Sequence, residues 1–295
     1  MSDFRLKVFQ SVAKNLSFTK ASQELFVSQP AITKHIQELE ATYQTRLFDR
    51  QGSKISLTES GRLLLEHCER ILEEYKRLEY EMHLLHNEYI GELKLGASTT
   101  IAQYVFPPLL GSFIGKFPQV NLSLLNGNSR EIEAALQEHR IDLGLVEGVF
   151  RLPNLKYTTF LEDELVAVVH SKSRLQLPEE ITPQDLPAIP LVLRERGSGT
   201  LDVIERSLQK HGVKLSSLHV LMYLGSTESI KLFLENSDCM GIVSIRSICK
   251  ELAAGTFRVV EIKDMPMLRD FCFVQLQGQE GGLSQAFMNY MFMSR

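Results

Sequence analysis

Apolar side chains recur at helical intervals three times within the first 60 residues. Phe4, Val8, Phe9, Val12 and Ala13 define one face of a first helix. Ala21 and Leu25 define the face of a second, expected from Thr19 to Phe26. Ile32, Ile36 and Leu39 stand at i, i+4 and i+7 of a third. Ser28 caps it, and its first turn tolerates Pro30 because no donor is needed there. The period then drops to two: Arg46–Arg50 and Lys54–Leu57 flank Gln51-Gly52-Ser53 and predict a small hairpin. From the N-cap Thr58 one long helix is expected to run to residue 90 and stop at Gly91. On it Leu64, Cys68, Ile71, Tyr75, Leu78, Met82, Leu85 and Tyr89 fall alternately four and three apart. That is an unbroken a/d seam, too narrow for a core helix, and it suits a coiled coil. Leu64, Ile71, Tyr75, Leu78, Met82 and Leu85 are therefore the expected dimerisation contacts.

Beyond Gly91 the pattern alternates. Strands predicted at Leu93–Ala97, Val120–Leu125 and Ile141–Val146 are separated by helices over Pro107–Lys116 and Glu131–His139. This βαβαβ order implies a parallel sheet with helices on its faces. A second set comes after it, with strands at Leu165–Val169, Pro190–Leu193, His219–Leu224, Gly241–Ser244 and Phe257–Ile262. Its helices are expected at Leu201–His211, Ser229–Glu235 and Ile245–Ala253. A strand at Phe271–Leu276 and a helix at Leu283–Phe292 close the chain.

Charge divides along the same line. Residues 1–60 carry eight Lys/Arg against six Asp/Glu, whereas the remainder carries 24 against 30. A mildly basic head on an acidic body points toward a polyanionic partner for the head alone. Its second and third helices fit a helix-turn-helix: Ala21 is small where helices cross, Leu25 and Val27 bracket the turn, and Ile32 and Ile36 face inward. Gln29, Thr33, Lys34 and Gln37 then face outward. Gln pairs with adenine, Thr meets a thymine methyl or phosphate, and Lys reaches guanine or phosphate. Arg46, Arg50 and Lys54 supply cations for a wing along the backbone. The first residues lack a signal-peptide layout, and no apolar run approaches the ~18 residues of a membrane span. A cytoplasmic protein with no membrane partner is expected. Four scattered cysteines form no C-x-x-C pair, so buried reduced thiols and no metal site are expected.

The run Phe18-Thr19-Lys20-Ala21-Ser22-Gln23-Glu24-Leu25-Phe26-Val27-Ser28-Gln29-Pro30-Ala31-Ile32-Thr33-Lys34-His35-Ile36 carries a resemblance, as do Leu39-Glu40, Leu47-Phe48-Asp49-Arg50 and Leu57-Thr58-Glu59-Ser60-Gly61. It resembles the N-terminal signature of LysR-type transcriptional regulators. The resemblance extends over the chain in domain order and length. It implies an α+β multidomain protein. Its parts would be a winged helix-turn-helix (1–60), a long linker (coiled-coil) helix (61–90) and a two-lobed α/β periplasmic-binding-protein-like effector domain (91–295). Lobe one would take 91–161 plus 266–295 and lobe two 162–265, crossing near Leu161-Glu162 and Met265-Pro266. The implied partners are double-stranded promoter DNA, a small-molecule co-inducer, RNA polymerase and further copies of the chain, as homodimer or homotetramer. Thr19, Ser28 and Pro30 join the DNA-contacting set by that resemblance. One departure stands out. The family has glycine before the wing where this chain reads Tyr43-Gln44-Thr45, so Gln44 is expected to take a left-handed conformation.

In open α/β sheets ligands sit outside the carboxyl ends of the strands. Three such ends are polar here: Ser98-Thr99-Thr100, Asn126-Gly127-Asn128-Ser129, and the run Arg194 to Thr200 with Ser198 and Gly199. Ser226-Thr227 opens another helix. Hydroxyls and glycines at helix starts, with a nearby guanidinium, suit a small anion; ordinary capping would use the same residues. By the resemblance, the Ser98–Thr100 loop contacts a co-inducer between the lobes. No G-x-S-x-G, P-loop or H-E-x-x-H occurs, and no cofactor or catalytic constellation is expected. Three rivals stay open: a solute-binding protein with a vestigial head, an enzyme on the same fold, and an architectural DNA binder without effector.

Overall fold

The computed structural model describes residues 4–51, 54–84, 89–278 and 281–294. They fall into two compact units, 1–88 and 89–295. The first holds α1 (Phe4–Asn15), α2 (Phe18–Glu24), α3 (Gln29–Tyr43), β1 (Phe48–Gln51), β2 (Lys54–Leu57) and α4 (Glu59–Leu84). Its core is the face read from the periodicity: Val8, Phe9, Val12, Ala21, Ile32, Ile36 and Leu39 are buried, together with Leu47 and Phe48. Ser17 caps α2 by accepting from the Lys20 amide at 3.2 Å. Ser28 caps α3 by accepting from Ala31 at 3.4 Å. α2 ends at Glu24, earlier than expected, because Phe26 turns left-handed (φ 54°) and cannot continue a helix. Gln44 takes the left-handed conformation expected of it, φ 51° and ψ 36°. Gly61 is required by packing: a Cβ there would lie 2.1 Å from the Leu47 carbonyl oxygen.

The seam on α4 is not unbroken. Cys68 is buried against α1, its thiol 3.3 Å from the Leu6 carbonyl, and Leu64 packs half-buried on the same core. The head thus consumes the first turns of the seam. Ile71, Leu78 and Met82 are exposed and Tyr75 is half-buried, so the outward stripe begins at Ile71. Leu85 lies outside the described residues. Tyr89 belongs to the second unit, its ring 4.5 Å from that of Phe117.

The second unit contains β3 (Gly91–Ser98), α5 (Thr99–Tyr104), α6 (Phe106–Lys116), β4 (Val120–Gly127), α7 (Ser129–Gln137), β5 (Leu143–Glu147) and β6 (Leu155–His170). It continues with β7 (Glu180–Ile181), β8 (Leu191–Arg194), α8 (Gly199–Lys210), β9 (Val220–Leu224), α9 (Thr227–Glu235), β10 (Met240–Ser244), α10 (Cys249–Ala253), β11 (Phe257–Ile262), β12 (Met267–Leu276) and α11 (Gly282–Met293). The sheet runs β4-β3-β5-β12-β6-β10-β8-β9. Its wings, β4-β3-β5 and β10-β8-β9, are parallel. Between them lies the long antiparallel pair β6/β12, in register from Leu155↔Leu276 to Leu165↔Met267 with one shift at Phe271/Cys272. Each wing has its own apolar core, one around Leu95, Phe106, Phe113, Phe273 and Phe287, the other around Leu191, Leu193, Ile204, Leu208 and Ile242. These are two lobes joined by shared strands.

Three elements differ from expectation. β6 begins at Leu155, ten residues early, because its first half is pinned by β12 and has no clean alternation of its own. α5 occupies Thr99–Tyr104, where the sequence pattern shows only a polar strand end. Met267 packs in the second core and Phe271 in the first, so β12 passes between lobes after Met267, later than Met265-Pro266.

Candidate functional site

On the head, Ser28, Gln29, Pro30, Lys34 and Gln37 are exposed along α3, and Thr33 is half-buried. The Gln29 amide donates to the Thr33 hydroxyl at 3.1 Å, which pre-orients both. Thr19 is exposed on α2 and Arg46 before β1. The side chains of Arg50 and Lys54 lie outside the described set. The wing strands themselves pair from Phe48↔Leu57 to Gln51↔Lys54. Exposed amides and an ammonium, with a half-buried hydroxyl between them, match the donor and acceptor code of a major groove.

In the second unit, all three parallel strands of each lobe point their carboxyl ends at the boundary between the lobes. Ser98, Thr99 and Thr100 end β3 and open α5, all buried. Asn128 caps α7 in a reciprocal box with Glu131, Ser198 caps α8, and Ser226 caps α9. For those three the ordinary capping reading holds. Gly199, Thr200 and Thr227 are buried at the helix starts of lobe two. Arg194 is buried with only 1% exposure; its Nε and Nη2 bind Glu195, and Nη2 also reaches the Gly225 carbonyl.

The residue that ties these parts together is Arg269 on β12, which the sequence reading missed. Its Nε donates to Asp163 Oδ2 at 2.7 Å and its Nη1 to Thr200 Oγ1 at 2.9 Å. Nη1 also lies 3.4 Å from Glu147 Oε1, and Ser98 donates to the other Glu147 oxygen. Ser244 donates to Asp163 Oδ1 at 2.7 Å. The network therefore joins the ends of β3, β5 and β10, the start of α8 and both shared strands. A second bridge crosses the boundary further out. Tyr104 of α5 donates to Glu228 of α9, and Lys231 binds Glu228 at 2.9 Å, Glu251 at 2.6 Å and the Ser247 carbonyl at 3.0 Å. Burial and then Glu228 push the Tyr104 hydroxyl up, so it stays protonated and donates. Burial opposes the Lys231 charge, but Glu251 and Glu228 outweigh it and hold its pKa above the ordinary value.

The lobes touch directly. The Arg130 amide donates to the Gly197 carbonyl at 3.3 Å, and a Cβ on Gly199 would fall 2.0 Å from the Glu147 carbonyl oxygen. Among the described residues, six buried side-chain polar atoms lack a partner; four at this boundary are Thr99 Oγ1, Thr100 Oγ1, Arg194 Nη1 and Arg269 Nη2, and a fifth, Glu251 Oε2 beside Lys231, is an acceptor. Every one of the four can donate a hydrogen bond. A cavity of about 490 Å³ lies beside the shared strands, bordered by Arg151, Glu162, Arg206 and Asp270. None of the ten effector residues expected from the sequence lines it. Three cysteines are buried as expected, but Cys249 is exposed. No helix among the described residues is long and apolar enough to cross a membrane, and no cluster there could hold a metal.

Comparison with known proteins agrees with this layout. Residues 4–62 match the bacterial regulatory helix-turn-helix protein, lysR family, and residues 86–292 match the LysR substrate binding domain. The chain is 29% identical over 269 residues to the HTH-type transcriptional regulator CysL of Bacillus subtilis, covering 91% of this chain and 89% of that one. The CcmR regulatory domain of Synechocystis PCC6803, solved in complex with 2-PG, is 28% identical (TM-score 0.62) and covers 69% of this chain and 97% of its own. Full-length CbnR, solved with its target DNA, has the same fold over the whole of both chains at 22% identity (TM-score 0.61). These relatives are transcriptional regulators, not enzymes. The chain belongs to the LysR family of DNA-binding transcriptional regulators.

Proposed function

We propose that this regulator senses a small anion between the lobes of its effector domain. The observation that carries the reading is the set of four buried donors without acceptors. An unsatisfied buried donor costs about 1–3 kcal/mol, and two threonine hydroxyls and two guanidinium nitrogens share that deficit at one boundary. A ligand rich in acceptors removes it. Arg194, Lys231 and Arg269 each already have a carboxylate partner, so at these three binding exchanges partners rather than filling a bare positive hole. The 2-PG bound by the CcmR domain supports an acceptor-rich ligand. In this reading Ser98, Thr99, Thr100, Arg194, Thr200 and Arg269 contact the effector, and Asn128, Ser198, Gly199, Ser226 and Thr227 shape the helix starts around it. Two heads, paired through Ile71, Tyr75, Leu78 and Met82, place Gln29, Thr33, Lys34 and Gln37 in successive major grooves. A homotetramer in the cytoplasm, changing its contact with RNA polymerase when lobes close, completes the scheme.

The test is calorimetric titration of the full chain with 2-PG, inorganic phosphate, sulfate and citrate, beside Thr100→Val and Arg269→Lys. At least one anion should bind the wild type, and both variants should lose about tenfold or more in affinity, the effect of one charge-assisted bond. Binding equal in all three proteins would remove the site from this boundary.

A further inference from the structure

Phe26 occupies the turn between α2 and α3 and is 95% exposed, so its ring buries almost nothing within its own chain. Its backbone is left-handed, φ 54°, a region where a bulky residue is a genuine outlier and glycine or asparagine sits without strain. Backbone hydrogen bonds close the turn that imposes this φ. The Leu25 amide donates to the Ala21 carbonyl at 3.0 Å, the Phe26 amide to Gln23 at 3.4 Å, and the Val27 amide to Ser22 at 3.1 Å. A single exposed apolar side chain needs no explanation by itself. Here the exposed ring is held at a strained position, two residues before the N-cap of the DNA-reading helix. Pro30, four residues on in the first turn of α3, is exposed as well, beside Gln29 and Lys34. The head is also the cationic part of the chain.

We propose that Phe26 is itself a DNA contact, laying its ring against apolar atoms at the groove edge, a thymine methyl or a deoxyribose, beside the bases that α3 reads. Thymine methyls and sugars are the apolar features that duplex DNA offers to such a ring. The contact neutralises no phosphate, so it adds affinity without adding salt dependence. Its location rests on α3 lying in the groove, which Gln29→Ala tests separately.

The experiment uses full-length protein and a duplex selected from a random-sequence pool by the wild type. Affinity is measured across a salt series for wild type, Phe26→Asn, Phe26→Leu and Gln29→Ala, with melting temperature recorded for each. Phe26→Asn should weaken binding about tenfold, with the slope of log affinity against log salt unchanged and the melting temperature equal or higher. Phe26→Leu should recover most of the loss. Replacing dT by dU in the duplex separates the methyl from the sugar. Only a methyl contact makes that replacement cost wild type more than it costs Phe26→Asn. Wild-type affinity in Phe26→Asn overturns the proposal. So does a loss that comes with a lowered melting temperature, because Phe26 would then only brace the turn.

Discussion

A methyl group added to Gly199 would meet the Glu147 carbonyl oxygen at 2.0 Å and its carbonyl carbon at 2.5 Å, backbone that cannot swing aside as a side chain could. Gly199→Ala should therefore hold the lobes apart and destabilise the effector unit by about 1–3 kcal/mol, the usual cost of overpacking. Hydrogen exchange at Arg130, whose amide donates to Gly197, should rise; unchanged exchange would mean the lobes yield without parting. The thiols offer a second check. Burial, then Glu69, pushes Cys68 up to about 12, whereas Cys249 is exposed. At neutral pH the folded chain should react with a thiol reagent at Cys249 and spare Cys68 until denatured. Fast labelling of Cys68 would contradict its packing against Leu6. Individual residues were unevenly legible in the sequence. Thr99 and Thr100 stood out because polar side chains at a strand end need a reason. Arg269 did not, because its partner Asp163 is 106 positions away and its neighbours Leu268 and Asp270 resemble a surface turn.

α4 shows how periodicity can be right about the element and wrong about its partner. The spacing of its apolar residues predicts a helix, and a helix forms, but Leu64 and Cys68 are claimed by the head. From Ile71 onward the helix carries a stripe of exposed apolar side chains with nothing of the described unit upon it. A Leu78→Glu/Met82→Glu pair should shift the protein toward monomer in sedimentation, leaving the melting of the head unchanged. An unchanged oligomer would place dimerisation elsewhere. β6 was half hidden for the opposite reason: its order comes from β12, a strand far downstream, which no local pattern reports. The bridge from α5 to α9 belongs here too. Burial would raise the Glu228 pKa, but Tyr104 and Lys231 outweigh it and hold it below the ordinary 4.5. A depressed carboxylate stabilises above its unfolded value and loses that contribution as pH falls through its folded value. Effector-unit stability should thus decline below about pH 4.5, and Tyr104→Phe should lose about 1 kcal/mol at neutral pH while flattening that decline. An identical acid profile in the variant would mean the bridge does not hold the lobes.

The whole chain combines a basic helix-turn-helix head with an acidic body that matches the LysR substrate binding domain, and each half explains a charge balance that the total of −4 conceals. The fold class was legible end to end because both halves obey local rules, helix-turn-helix spacing and βα alternation. The lobe boundary was not, since it depends on side chains brought together from six elements. The proposed sensing reaches a gene only if the head reads sequence. A footprint on the DNA upstream of the chain's own gene, at two salt concentrations, decides that point. Wild type should be run beside a Gln29→Ala/Thr33→Ala variant. A protected region of several helical turns, weakened by salt and lost in the variant, is the predicted result. Salt-sensitive binding with no discrete footprint, identical in the variant, would contradict it.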